Sequence, residues 1–163
     1  MITHKYVFVA AIFSICGPFA VADADNSSPR DLFGAWSSGC DAWGVPATCQ
    51  ATWSEGLHPS HLVQSYTITR QSDHAQIFAG RGLYRIVDGD VDGTWEDAQG
   101  SIHQLSGTFE DGTLNIIWGS AKTEIGRSEY VLSDHTLTVS DSVLTEQGWR
   151  EFMTIAYARD RLD

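Results

Sequence analysis

The stretch that decides the fold is IHQLSGTFEDGTLNIIWG, residues 102–119. In an extended chain its first part sets His103, Leu105 and Phe109 on one face, its second part sets Leu114, Ile116 and Trp118 on one face, and Asp111-Gly112 separates them. Side chains two apart share a face only in a β-strand, and Asp-Gly tolerates the positive φ that a two-residue hairpin turn requires. The segment therefore reads as a hairpin with one apolar face. The same pattern continues on both sides, with runs rich in Val, Ile, Thr, Tyr and Trp at 81–88, 91–97, 124–132, 136–144 and 149–159. Their separators hold Gly, Asp or Ser: Asp88-Gly89-Asp90, Ala98-Gln99-Gly100, Ser120-Ala121-Lys122, Ser133-Asp134-His135 and Gln147-Gly148. Leu137, Val139, Asp141 and Val143 share a further face, as do Met153, Ile155 and Tyr157.

Upstream, Leu32–Ser38 and His61–Arg70 read as strands, with Ala75–Ala79 as a short additional one, and no proline follows Pro59 to interrupt a meander. No stretch after the leader shows apolar residues at helical spacing. Eight to ten strands in one all-β domain, 31–163, leave exposed edges unless the sheet closes on itself, so the expected architecture is an antiparallel up-and-down β-barrel. A two-sheet sandwich would give the same alternation and stands as the alternative.

The beginning of the chain reads differently. Residues 1–22 have one basic residue, Lys5, then an apolar run from Tyr6 to Ile15 broken only by Ser14, then Ala20-Val21-Ala22 before Asp23. That order is the pattern of a cleaved secretory signal, which places the protein in a periplasm or outside the cell, with 23–30 as a flexible lead-in. At about ten residues the run is too short to span a bilayer, and no integral membrane segment follows. Cys40 and Cys49 are then an even pair around the Gly- and Pro-containing segment 41–48, and export favours their oxidation to a disulfide that closes a small loop, rather than a catalytic thiol. Acids number 21 against 10 Lys plus Arg, for a formal net charge of −11, which excludes a basic surface for nucleic acid.

Gly34-Ala35-Trp36 on the first strand and Tyr157-Ala158-Arg159 on the last resemble the lipocalins and the wider calycin group. In those barrels a Gly-x-Trp closes one end of the lumen beneath an arginine that follows the final strand. The resemblance implies that Gly34, Trp36 and Arg159 close this barrel, glycine making room for the indole and the guanidinium covering its face. It is similar to the short secreted barrels of that type more than to true lipocalins, whose middle-loop Thr-Asp-Tyr motif it lacks.

The expected function is capture of a small hydrophobic or aromatic ligand in the lumen, lined by Trp95, Trp118, Tyr130, Met153 and Tyr157 with Asp141 as a polar hook. Trp149 is a further aromatic of the same region. A carboxylate on an apolar face needs a partner, such as Arg127, Arg159 or a ligand donor, or its pKa rises. A cofactor-independent lyase, isomerase or cyclase using Asp141, Glu151 or His103 as acid or base is the alternative. A protein-interaction or inhibitor module, presenting Trp43 on the Cys40–Cys49 segment, is a third. No cofactor is called for, because the chain has no Gly-rich phosphate loop, no Gly-x-Ser-x-Gly and no His-Glu-x-x-His. Metal is not expected either. His58 and His61 are separated by Pro59, and Asp88, Asp90 and Asp92 match the start of a calcium loop but Gln99 stands where its closing Glu would be, so a hairpin turn is the better reading.

Overall fold

A computed structural model describes residues 27–161. The expected signal segment 1–22 lies outside the described residues. A 3-10 turn, Pro29–Leu32, leads into ten antiparallel strands: β1 Gly34–Ala42, β2 Val45–Glu55, β3 His61–Arg70, β4 Gln76–Val87, β5 Asp90–Asp97, β6 Ile102–Glu110, β7 Thr113–Gly119, β8 Ile125–Ser133, β9 Thr136–Thr145 and β10 Gly148–Arg159. Each strand pairs with its neighbours in sequence, and β10 returns to β1, so the sheet is a closed barrel. The sandwich alternative is excluded by that closure. The lead-in turn reaches two residues into the segment 23–30 and is fixed by a reciprocal cap: Asp31 accepts from the Ser28 N–H at 2.7 Å, and the Ser28 hydroxyl accepts from the Arg30 N–H at 3.2 Å.

Turn chemistry sets the register. Asp88-Gly89 and Asp111-Gly112 are two-residue hairpin turns with both residues at positive φ. Asp88 is thus a turn residue, and Asp92 is ion-paired with Arg85 at 2.7 Å. Two expectations are corrected here. Residues 41–48 are not a loop: Val45–Glu55 is a full strand whose only turn is Trp43-Gly44, and Cys40–Cys49 is a disulfide across the β1–β2 hairpin. Residues 75–79 and 81–88 are one strand, β4, running through Gly80 and Gly82.

The barrel's last seam is short. β1 and β10 pair only at Trp36↔Arg159 and Ser37↔Ala158. Two further bonds reinforce it: the Ser37 hydroxyl donates to the Asp160 carboxylate, and the Asp160 backbone N–H donates to the Ala35 carbonyl at 2.8 Å. Beyond it, Ser38–Ala42 is bonded on one side only, to β2.

One end is filled. Leu32, Trp36, Leu114 and Leu137 are almost fully buried, and the Trp36 indole N–H donates to the Leu32 carbonyl at 2.8 Å. Arg159 lies with its guanidinium carbon 4.1 Å from the Trp36 ring centroid and donates to the carbonyls of Phe33 and Asp31. Gly34 has φ of 122°, and a Cβ there would meet the Arg159 guanidinium at 3.0 Å, so the close approach needs glycine.

Candidate functional site

Midway along the lumen the packing changes from aliphatic to aromatic. Trp53, almost wholly buried, sits with its ring centroid 5.0 Å from that of Tyr84 and 5.5 Å, edge-on, from that of Tyr130. Tyr84 and Tyr130 form the floor of a cavity of about 380 Å³ that opens among the turns 43–44, 98–101 and 120–124. This volume falls at the lower end of the range for sites that hold small organic molecules.

Trp95, Trp118, Tyr130, Asp141, Met153 and Tyr157 all line this cavity, as does His103. The large rings fit because glycines face them. A Cβ on Gly126 would fall 1.9 Å from the Trp118 ring and one on Gly80 would fall 2.0 Å from the Trp95 ring. Each indole therefore lies flat on bare backbone of a neighbouring strand and leaves the centre of the lumen open.

Asp141 is the polar centre of the wall. Trp118 Nε1 donates to Ser128 Oγ at 3.2 Å, and Ser128 Oγ donates to Asp141 Oδ1. Ser128 is the only side-chain donor to Asp141 among the described residues. The arginines that could have neutralised it are used elsewhere: Arg127 stacks on Trp149 at 4.9 Å, and Arg159 covers Trp36. Burial accordingly pushes the Asp141 carboxyl up to about 6, against the opposing Ser128 hydrogen bond. Its charge is felt by Tyr66, Tyr84, Tyr130 and Tyr157. Burial raises all four phenols above their ordinary value, and the nearby carboxylate adds to the effect.

The tyrosines do not relieve Asp141. Tyr84 OH donates to Gln64 Oε1 at 2.7 Å, and Tyr157 OH donates to Tyr66 OH at 3.5 Å. His103 lies beside Trp118, centroids 5.6 Å apart, and its Nδ1 is buried without a hydrogen-bond partner among the described residues, as is Trp53 Nε1.

Two residues expected in the lumen are outside it. Phe152 is a bulge: Glu151 pairs with Ser142 and Met153 with Asp141, so one residue of β10 has no opposite number. The bulge reverses the alternation upstream of it. Glu151 shares the outward face of Ser142, exposed to solvent, and Trp149 stacks on Arg127 on the same outer surface. Glu151 therefore cannot partner Asp141 as an acid–base pair. Trp43 is 74% exposed on the β1–β2 turn, yet its ring is 6.4 Å from that of Phe78 and both border the cavity mouth. His58 and His61 lie at the opposite end, in and beside the β2–β3 connection, with His58 Nδ1 hydrogen-bonded to Ser60 Oγ. Among the described residues no three His, Cys, Asp or Glu side chains gather in a way that could hold a metal ion.

Sequence reasoning missed Gln64, Tyr66, Tyr84 and Ser128. The signal for the first two was present, since Leu62, Gln64, Tyr66 and Ile68 alternate along β3. Ser128 needed the β8–β9 register that sets it opposite Asp141.

The chain matches no protein-family model, and no curated protein matches it. The barrel does have a counterpart among solved structures. It aligns with Rv2717c from M. tuberculosis at a TM-score of 0.62, over 86% of this chain and 99% of that one, with 12% sequence identity. At that identity the likeness concerns the fold, a ten-stranded closed barrel, and not the contents of the lumen.

Proposed function

We propose that the protein is an exported, calycin-like binding barrel that holds a small apolar or aromatic molecule in the open half of its lumen. The observation that carries this reading is the cavity itself: about 380 Å³, walled by aromatic rings seated on glycine, with one enclosed carboxylate as a directional contact. Burial of apolar surface against Trp95, Trp118 and Tyr157 supplies affinity at about 25 cal/mol per Å², and the polar group fixes orientation. Export is supported by the leader pattern in 1–22 and by the Cys40–Cys49 disulfide, which suits an oxidising compartment. The calycin kinship is supported by the Gly34, Trp36 and Arg159 corner.

Native mass spectrometry of protein secreted into a bacterial periplasm, before and after incubation with a lipid and metabolite extract, tests the reading. A retained mass that is weakened in Trp118→Ala is the expected result. Absence of any retained mass, or equal retention by the variant, rejects the lumen as a binding site.

One observation favours a second reading. A carboxyl group at about 6 in an enclosed aromatic site has the proton affinity of a general base working near neutrality. An isomerase or lyase would use Asp141 to take a proton from bound substrate, with His103 as a second acid–base candidate in the lining. In that case Asp141→Asn abolishes turnover of some extract component while leaving its binding largely intact.

A further inference from the structure

Resting on the lumen-binding reading, the charge pattern narrows the ligand. We infer that the cavity selects an organic cation, a primary or methylated ammonium on an aromatic or compact alkyl body, with Asp141 as its counter-ion.

The inference stands on what surrounds the carboxylate. Of the residues lining the cavity none is Lys or Arg, while three are acids: Asp141 within, and Asp97 and Glu124 at the rim. A carboxylate taken from water ordinarily collects two or three hydrogen-bond donors or a cation. Among the described residues Asp141 has Ser128 alone as a side-chain donor, on Oδ1, while Tyr84 gives its proton to Gln64 and Tyr157 gives its proton to Tyr66. Asp141 lines the cavity, and its second oxygen has no protein donor among the described residues.

An anionic ligand, such as a fatty acid, would bring like charge to this carboxylate with no Lys or Arg in the lining to offset it. A neutral apolar ligand would strip water from Asp141 and return nothing, so it would bind best when Asp141 is protonated. A cation reverses both costs. It pairs with the carboxylate, and the faces of Trp95, Trp118 and the tyrosines attract the positive charge through their quadrupoles, an effect that grows where water is excluded. The rim acts in the same sense. Burial works upward on Asp97, but the N–H groups of Ser101 and Gln99 outweigh it and hold that carboxyl below its ordinary range.

Three probes of one shape separate the outcomes: phenethylamine as cation, 2-phenylethanol as neutral analogue and 3-phenylpropanoate as anion, each titrated calorimetrically into the oxidised protein at pH 7.5. The expected order is cation first, neutral weaker by about tenfold or more, anion undetectable. Asp141→Asn should weaken phenethylamine by about 10- to 100-fold and leave 2-phenylethanol equal or tighter. Equal or tighter binding of alcohol or anion by the wild type overturns the cation assignment and leaves lumen binding standing, whereas failure of all three removes both.

Wild-type pH dependence gives a second measurement should the variant misfold. Affinity for phenethylamine should fall as pH drops through about 6, where Asp141 takes up its proton, while 2-phenylethanol shows no such fall. The titratable groups facing Asp141 are Tyr66, Tyr84, Tyr130 and Tyr157, which stay neutral throughout this range, with His103, Asp97 and Glu124 further along the cavity. Because His103 could act in the same direction, His103→Gln must retain the fall. Loss of the pH dependence in that variant would transfer the effect from Asp141 to the imidazole and overturn the assignment.

Discussion

The same ten strands build two different interiors. Toward the lead-in turn the lumen is solid: Leu32, Trp36, Leu114 and Leu137 interlock, Arg159 covers the indole, and two-residue turns draw β4–β5, β6–β7 and β8–β9 tight. Toward the mouth the rings stand back against glycine, the connections 71–75, 98–101 and 120–124 are longer, and a carboxylate takes a place that the filled half gives to leucine. Both halves are lined by aromatic rings, but the filled half supplies its own cation in Arg159. The open half has the rings and the negative charge without one. One half is closely packed, and the other leaves a cavity with a buried carboxylate.

Substitutions should divide along that line. The largest effect is expected for Trp36→Ala, which empties the centre of the filled half and removes the surface under Arg159. Urea unfolding should show a loss of about 3 to 5 kcal/mol, and a loss below about 1 kcal/mol would mean that the two halves do not differ as described.

Replacing Cys40 and Cys49 together by Ala should cost about 2 to 3 kcal/mol in the same assay, or less if the native hairpin relaxes. Hydrogen exchange should then accelerate at Ser38–Ala42 before it does elsewhere in β1, because that segment keeps partners on one side only.

Asp141→Asn should act in the opposite direction. The folded carboxyl, at about 6, binds its proton more tightly than the unfolded one near 3.8, so between those values the folded state holds more protons. The contribution of Asp141 to stability is therefore greatest at low pH and declines as pH rises through about 4 to 6. The Asn variant lacks this decline and should be more stable at pH 7.5 by on the order of 2 kcal/mol, allowing for partial hydration of the group from the cavity. Matching melting curves for variant and wild type at pH 5 and pH 8 would contradict the buried-charge account.

The smallest effect belongs to Glu151→Gln. An outward side chain on the bulged strand should change stability by less than about 0.5 kcal/mol and leave phenethylamine affinity unaltered. A marked loss of binding would return Glu151 to the lumen and undo the bulge assignment.

Most of the barrel was legible because its instructions are local. From Arg81 onward each strand carries its own alternation and each tight turn its own Asp or Gly, and neither depends on distant residues. The failures have equally specific causes. Val45–Glu55 buries Ala47, Cys49 and Ala51, too small to register as an apolar stripe, and Pro46 with the paired cysteines suggested a loop. Gly80 read as a break in β4 although it is the seat for Trp95. The Phe152 bulge has no mark of its own in the sequence, and it alone misplaces Glu151 and Trp149. For the site, the face of Asp141 could be read from β9, but its lack of a cation could not. That depends on where Arg127 and Arg159 go, and their placement is a property of the closed sheet.

The short β1–β10 seam has a consequence for how the chain folds. Every other strand pair joins neighbours in sequence, so nine hairpin contacts can form early with little loop to close. The remaining contact joins groups 123 positions apart, as between Ser37 and Asp160, and has only two paired positions to offset the entropy of bringing them together. An open ten-stranded sheet should thus precede the barrel on the folding route, with β1 and β10 as its two raw edges. The disulfide lies on one of those edges and keeps β1 attached to β2 while the ring is still open. Refolding with the cysteines reduced should therefore extend the lifetime of that open sheet, the state most exposed to pairing with another chain along its free strands.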